Sequence, residues 1–244
     1  MPPTAAGIRA RNRAALEHEI LAIGRRHLAE RGAAALSLRA IARELGMAPS
    51  AVYRYVASRD ELLTLLIVEA YDSLGDAVDT ALAGVGEPME RFRAVGRALR
   101  GWAAAHPHQF ALVYGSPVPG YAAPADRTNP SGTRVTDRLL EILVEVEGED
   151  GGHREQAARG EPRTNATASA AVGVGQAVGG LSSDPLLAVT SLTAEGLTRG
   201  LAAWTLVLGT VTAEQFEQFG PEAIADPAAY FEQILDLAVG LARP

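Results

Sequence analysis

The sequence predicts an all-α protein, with a small N-terminal domain of three helices over residues 1–60 and a larger helical domain over residues 61–244. Apolar residues recur at three- and four-residue steps, which is the period of an amphipathic helix, and no stretch keeps the period of two that is typical of strands. Serine, aspartate and proline stand where the predicted helices begin, and glycine stands where several of them end. A chain of 244 residues can bury a core in each domain.

The N-terminal domain begins with a helix predicted from about Asn12 to Arg31, because apolar residues form one stripe along it and Gly32 follows it as a C-terminal cap. Ser37 is a suitable N-cap for a second helix of barely two turns, which ends at Gly46. These signals predict two consecutive helices of very different length.

A third short helix is predicted from Pro49 to Val56, since proline suits the first position of a helix. Two short helices joined by a tight glycine-containing turn describe a helix-turn-helix, in which the first helix braces the second in the major groove of DNA. The bracing positions are small or aliphatic: Ala42, Leu45, Val52 and Val56. The positions predicted to face outward, toward a groove, are Ala48, Pro49, Ser50, Ala51, Tyr53, Arg54 and Tyr55.

The larger domain is predicted to consist of helices separated by one loop and one linker. Ser58 and Glu61 form a capping box that opens a long fourth helix. Further helices are predicted over residues 87–105, 110–114, 131–146, 186–209 and 228–241, the last two opened by Asp184-Pro185 and Asp226-Pro227. Residues 115–130 are rich in proline and glycine and predict a loop, whereas residues 147–183 have almost no large apolar side chains and predict a flexible linker.

Charge is distributed unevenly along the chain. The formal net charge is −7, which by itself disfavours a nucleic-acid partner. Residues 1–60, however, contain ten arginines and five acidic residues, and the remainder contains 12 basic and 24 acidic residues. A basic N-terminal domain on an acidic protein is the distribution expected of a DNA-binding protein of this composition.

Composition also indicates the compartment. The chain has no cysteine, which excludes disulfides and cysteine-ligated zinc and fits a reducing environment. No apolar run approaches the roughly 20 residues that a membrane-spanning helix needs, and no apolar segment follows the first arginines as in a signal peptide. We therefore expect a cytoplasmic protein without a membrane partner.

The segment LSLRAIARELGMAPSAVYRYVASRDELL, residues 36–63, resembles the DNA-binding signature of the TetR family of transcriptional regulators. The resemblance implies that Ser37, Arg39, Tyr53, Tyr55 and Arg59 contact the DNA backbone. Base edges are then left to Ala48, Ser50, Ala51 and Arg54, of which Arg54 is the best candidate for a specific base contact. The sequence departs from the family pattern at Ala48, often a hydroxyl residue, and at Arg59, often lysine.

A second resemblance concerns the larger domain. The stretch from Trp102 through Tyr121, together with GLAAW at residues 200–204, is similar to a TetR subgroup with a Trp-His-Gly motif, although Leu208 stands where the histidine would be. The last two predicted helices are rich in Ala, Gly and Leu and can pack closely, so we expect them to form an intermolecular four-helix bundle in a homodimer. The two-fold symmetry predicts a roughly palindromic operator, and we expect repression by occupation of a promoter and release by a small apolar effector. Aromatic residues of a helical domain belong more often to the core than to a ligand site, but those that could line an effector pocket are Trp102, Phe110, Tyr114, Tyr121 and Trp204.

Other functions have weaker support in the sequence. His106, His108 and His153 lack the spacing of a metal site, and the glycine-rich residues 173–179 follow no predicted strand, as a dinucleotide-binding loop would. No constellation of catalytic residues is recognisable, so we expect no enzyme, no cofactor and no metal. A helical protein-interaction or effector-binding module without an operator is the alternative. Two interpretations of Arg9, Arg11 and Arg13 stay open: an arm that reaches phosphate or the minor groove, or a solvated tail.

Overall fold

The computed structural model describes residues 5–157, 192–220 and 222–243, and the side chains within residues 11–148, 192–220 and 222–243. The described residues form ten α-helices and one short 3₁₀ turn, with no strand among them. The all-α prediction is therefore confirmed. The helices are α1 (Ala5–Arg31), α2 (Leu38–Glu44), α3 (Pro49–Val52), α4 (Arg59–Leu82), α5 (Pro88–Ala105), α6 (Pro107–Tyr114), α7 (Ala125–Gly132), α8 (Arg134–Ala157), α9 (Ala194–Gln215) and α10 (Pro227–Ala242).

The chain folds into two compact units that share helix α4. Among the described residues, the first unit comprises 5–73 and 105–132, and the second comprises 74–104, 133–157, 192–220 and 222–243. Residues 105–132, which contain α6 and α7, thus fold with the N-terminal helices rather than with the rest of the larger domain. The boundary that the sequence suggests at residue 60 divides a DNA-binding domain from a regulatory one. This functional division stays a prediction.

The first unit is built on an aliphatic core that α1 to α4 share. The apolar stripe of α1, the inner faces of α2 and α3, and the first half of α4 meet there, as the helical period of the sequence predicts. The wholly or almost wholly buried members include Ile20, Leu28, Leu38, Ile41, Ala42, Val52, Val56, Leu62, Leu63 and Leu66. This core fixes the angle between α2 and α3.

The loop between α6 and α7, and α7 itself, are each tied to α4 within the first unit by a polar contact. The hydroxyl of Tyr121 lies 2.9 Å from Thr64 Oγ1, and the Tyr121 ring packs against the core of the unit. The guanidinium of Arg127 donates to both carboxylate oxygens of Glu61, at 2.5 and 2.9 Å. These hydrogen bonds hold the pKa of Glu61 below its usual value.

The second unit is a helical bundle in which α9 and α10 pack along each other. Gly96 allows α5 to approach α10 closely, because a Cβ at this position would lie 2.5 Å from Leu235 Cδ2. Arginines on α5 add bidentate ion pairs at the edge of the core. Arg97 binds Glu232 at 2.9 and 2.6 Å, and Arg100 binds Glu214 at 2.7 Å through each of two nitrogens.

The predicted helix boundaries are wrong at several places. Helix α1 begins at Ala5 rather than near Asn12, and α6 begins at Pro107 rather than at Phe110. Residues 125–130, predicted as loop, belong to α7, in which Thr128 is buried and its hydroxyl donates to the Pro124 carbonyl at 3.0 Å. Helix α8 continues to Ala157, eleven residues beyond its predicted end. Helix α9 begins at Ala194 with Thr193 as its N-cap rather than near residue 186, and it ends at Gln215.

The remaining predictions for these segments have separate outcomes. Residues 158–191, which include most of the predicted linker and Asp184-Pro185, lie outside the described residues. The last helix begins as predicted, since the Asp226 carboxylate accepts a hydrogen bond from Ala229 N at 2.9 Å and Pro227 follows as the first helical residue. Within the described ranges, no helix combines the length and apolar character needed to cross a membrane.

Candidate nucleic-acid interface

Helix α2 forms where the sequence predicts it. Ser37 adopts extended backbone angles, and its Oγ accepts a hydrogen bond from Ala40 N at 3.4 Å. The helix ends at Glu44, and Gly46 follows with φ of 64°. This left-handed conformation suits glycine, because a side chain there would be strained. The predicted N-cap and glycine turn of the motif are confirmed.

Helix α3 is shorter than predicted. Only Pro49–Val52 is regular α-helix, and the next residues form a tighter turn. The amides of Arg54 and Tyr55 donate to carbonyls three residues back, at 3.3 and 2.9 Å, before Val56 returns to a four-residue step at 3.1 Å. The helical course therefore continues to Val56 with a tightened last turn, which is common at helix ends. Val52 and Val56 remain buried, as predicted.

The outer face of α3 and of this turn is open to solvent. The exposed residues are Ala48, Pro49, Ser50, Tyr53 and Arg54, and Ala51 and Tyr55 are half-buried. Tyr53 is exposed by 43%, which is high for a tyrosine beside a well-packed core. A surface of small side chains with one arginine and one tyrosine is compatible with close approach to base edges in a major groove.

The residues that the resemblance places on phosphates are distributed around this face. Arg39 on α2 is exposed, and Ser37 is half-buried with its hydroxyl engaged in the N-cap. The Arg59 guanidinium is half-buried, because Nη2 donates to the Ala33 carbonyl at 3.0 Å and Nη1 lies 3.5 Å from Asp60. Arg59 thus also joins the start of α4 to the 3₁₀ turn at Ala33–Ala35. No local pattern in the sequence indicates this structural contact.

A buried histidine connects α1 to the end of α2. His27 is almost completely buried, and its Nε2 lies 2.9 Å from Oε2 of Glu44. Because an ionised carboxylate only accepts hydrogen bonds, the neutral ring donates through Nε2. Burial lowers the pKa of His27 below its usual 6.5, and neighbouring Arg31 acts in the same direction. The ring is therefore neutral at physiological pH.

Mild acid is expected to destabilise the first unit through His27. Its folded pKa lies below the unfolded value of 6.5, so its contribution to the free energy of unfolding is complete above pH 6.5 and decreases as the pH falls below it. Thermal melts from about pH 8 to about pH 5 should show a larger loss of Tm for the wild type than for His27→Gln, whose amide donates without titrating. Equal losses would assign the acid sensitivity to other groups.

The aromatic residues proposed for an effector pocket are divided between the two units. Phe110, Tyr114 and Tyr121 belong to the first, and Trp102 and Trp204 belong to the second. Phe110 and Trp102 are buried, and the Phe110 ring centroid lies 5.1 Å from that of Tyr114. Burial raises the pKa of Tyr114, with a further contribution from Tyr71.

The second unit contains a cavity of about 250 Å³ where α9 ends and α10 begins. Its walls are mostly apolar and aromatic, with the Phe219 and Tyr230 rings meeting edge to face at 6.5 Å. The helical period of the sequence does not indicate this cavity, because the cavity forms between two helix ends and a connecting loop. Among the described residues, no group of three or more acidic or histidine side chains is arranged to hold a metal ion.

Both parts of the chain match known protein families. Residues 20–66 match bacterial regulatory proteins of the tetR family, and residues 92–238 match the tetracyclin repressor-like C-terminal domain. The chain is 38% identical over 228 residues to the HTH-type transcriptional regulators Rv1816 of Mycobacterium tuberculosis (strain ATCC 25618 / H37Rv) and Mb1846 of Mycobacterium bovis, which covers 93% of this chain and 92% of each relative.

Solved structures share the fold. The crystal structure of SCO4313, assigned as a regulatory protein, superposes with a TM-score of 0.73 at 28% identity, over 98% of this chain and 100% of that one. PfmR from Thermus thermophilus, a TetR family transcriptional regulator, has the same fold with a TM-score of 0.51 at 19% identity, over 89% and 97% of the two chains. The chain belongs to the TetR family, whose members are helix-turn-helix transcriptional regulators and not enzymes.

Proposed function

We propose that the chain acts in the cytoplasm as a homodimeric repressor that binds a roughly palindromic operator and is released by a small-molecule effector. The observation that carries this proposal is the open face of α3 and its following turn, where small side chains, Tyr53 and Arg54 are exposed together over a buried aliphatic scaffold. Repression would follow from occupation of a promoter.

The residues of this face have different proposed roles. Arg54 reads a base edge, because a guanidinium can donate two hydrogen bonds to guanine. Ala48, Ser50 and Ala51 are small enough to let α3 approach the bases, and Pro49 fixes the start of the helix. Ser37, Arg39, Tyr53, Tyr55 and Arg59 contact the DNA backbone, which positions the motif without selecting sequence.

The dimer is proposed to form through α9 and α10. These helices and the loop between them carry large, partly exposed apolar side chains at Phe216, Phe219, Leu237 and Leu241. Several large apolar side chains exposed on one pair of helices are typical of protein interfaces. A two-fold axis through this face would present two copies of α3 about 34 Å apart, one turn of the duplex.

The effector is proposed to bind the C-terminal part of the chain. The apolar cavity between the end of α9 and the start of α10 supports this. Of the aromatic residues expected to line an effector pocket, Trp102 and Trp204 belong to the same unit as this cavity, whereas Phe110, Tyr114 and Tyr121 belong to the first unit. The effector acts by binding more tightly to a conformation in which the two copies of α3 are not one turn of the duplex apart than to the conformation that fits DNA. We assign the chain to the Trp-His-Gly subgroup, with Leu208 in place of the histidine.

Selection of bound fragments from a random duplex pool tests this function. We expect one enriched palindromic sequence, with half-sites one turn apart. Replacing Arg54 with alanine should weaken binding to that sequence by about 1–3 kcal/mol and relax the preference at one base position. Arg39→Ala is the control, since loss of a phosphate contact weakens binding to all sequences alike and lowers the salt dependence.

The alternative interpretations give different results in the same experiment. Uniform weak binding with no enriched sequence would support a helical interaction module without an operator. If Arg54→Ala weakened binding equally for all sequences, Arg54 would be reassigned to the DNA backbone. Sedimentation of the free protein checks the dimer separately.

A further inference from the structure

Helix α1 carries an arginine to the edge of the DNA-facing surface. The guanidinium carbon of Arg13 lies 5.6 Å from the ring centroid of Tyr55, in the turn after α3. Arginine over the face of an aromatic ring is an attractive arrangement. Helix α1 extends to Ala5, so the backbone of this basic segment is helical from that residue onward. Arg13 is therefore held by a rigid element rather than by a flexible arm.

The Arg13 side chain remains accessible in this position. It is 60% exposed, and its Nε donates to Glu17 Oε1 at 2.8 Å, one helical turn further on. A guanidinium has five N–H donors, so this bond leaves donors for another acceptor. Tyr55 precedes the buried Val56 and follows the exposed Arg54, which places its ring beside the face proposed to read DNA.

We propose that Arg13, stacked on Tyr55, is an additional contact for a phosphodiester group of duplex DNA, outside the helix-turn-helix. The inference rests on the proposed DNA-binding function and extends the contact surface onto α1. Arginine suits this role because its planar guanidinium binds phosphate oxygens in pairs. In the free protein Glu17 occupies Nε, and a phosphate that binds Nε and Nη2 as a pair competes with this carboxylate when DNA binds.

The test compares Arg13→Gln with Arg11→Gln on the selected operator. Both variants remove one positive charge from the same stretch of α1, but two residues of helix separate the side chains by about 200° around the axis. We expect Arg13→Gln to weaken binding about five- to tenfold and to reduce the salt slope by about one for each bound chain. Arg11→Gln should have a much smaller effect, and equal losses would overturn the inference.

Glu17→Gln is expected to change the affinity for DNA in the opposite direction from Arg13→Gln. Removal of the competing carboxylate should strengthen binding severalfold, and the gain should be largely lost when Arg13 is also glutamine. If the gain is the same with either residue at position 13, Glu17 acts only through its own charge and the proposed competition is wrong. If the wild type selects no sequence at all, the proposed DNA-binding function is wrong, and the inference about Arg13 is wrong with it. A wild type that selects an operator while Arg13→Gln matches Arg11→Gln refutes this inference alone.

Discussion

Replacing Phe110 with alanine is expected to lower the free energy of unfolding by about 3–5 kcal/mol. The ring is completely buried in the first unit, where α6 packs against α1 and the ring contacts Tyr114. Its removal leaves a cavity that the surrounding helices can fill only in part. Urea denaturation followed by circular dichroism measures the change as a lower midpoint.

Tyr114→Phe is the matched control for Phe110→Ala. It keeps the aromatic ring that packs between Phe110 and Tyr71 and removes only the hydroxyl, so we expect a change of less than about 1.5 kcal/mol. The pair also decides between the two sequence interpretations of Phe110. A small loss of stability in Phe110→Ala combined with a changed effector response would show that the ring lines a ligand site rather than the core.

The helix-turn-helix could be predicted from the sequence because its signals are local. The Ser37 side chain caps α2 by accepting a hydrogen bond from the amide three residues later. Gly46 takes a left-handed conformation at the turn, and Pro49 begins the next helix. Each of these effects depends on residues within one helical turn. The outward positions of α3 followed from the same period, and they are exposed or half-buried in the folded unit.

Features that depend on distant partners were not predictable from the sequence. Helix α7 forms in a segment of unfavourable composition because Arg127 reaches Glu61, 66 positions earlier in the chain, and because Thr128 is buried. The contact of Arg13 with Tyr55 likewise joins residues that local patterns do not relate. Tertiary contacts of this kind override the local preference for a loop or a free tail.

Gly200 has a packing role that its sequence pattern does not explain. It belongs to the GLAAW stretch that carries the resemblance to the C-terminal subgroup. In the second unit a Cβ at this position would clash with the side chain of Leu143, so glycine here lets Leu143 of α8 pack directly against the backbone of α9. The motif thus includes a helix-packing requirement.

Glu147 stabilises the start of α9, although its neighbours' composition predicts the beginning of a flexible linker there. Its carboxylate accepts hydrogen bonds from the Thr193 amide at 2.7 Å and the Thr193 hydroxyl at 2.6 Å, and Arg199 Nη2 lies 3.6 Å away. The side chain is only 14% exposed. A carboxylate at the N-terminus of a helix is also stabilised by the positive end of the helix dipole.

Replacing Glu147 with alanine is therefore expected to cost the second unit about 2–4 kcal/mol, because two charge-assisted hydrogen bonds are lost together. Glu141→Ala is the control, since its ion pair with Arg138 is largely exposed and should contribute less than about 1 kcal/mol. Denaturation curves of the two variants give this comparison, and equal small losses would contradict the role of Glu147.

The Glu147→Ala variant also separates the stability of the second unit from the assembly of the dimer. If the homodimer forms through α9 and α10, loosening the start of α9 should raise the dissociation constant of the dimer in Glu147→Ala. Operator binding then depends more strongly on protein concentration, while the base preference of Arg54 is unchanged.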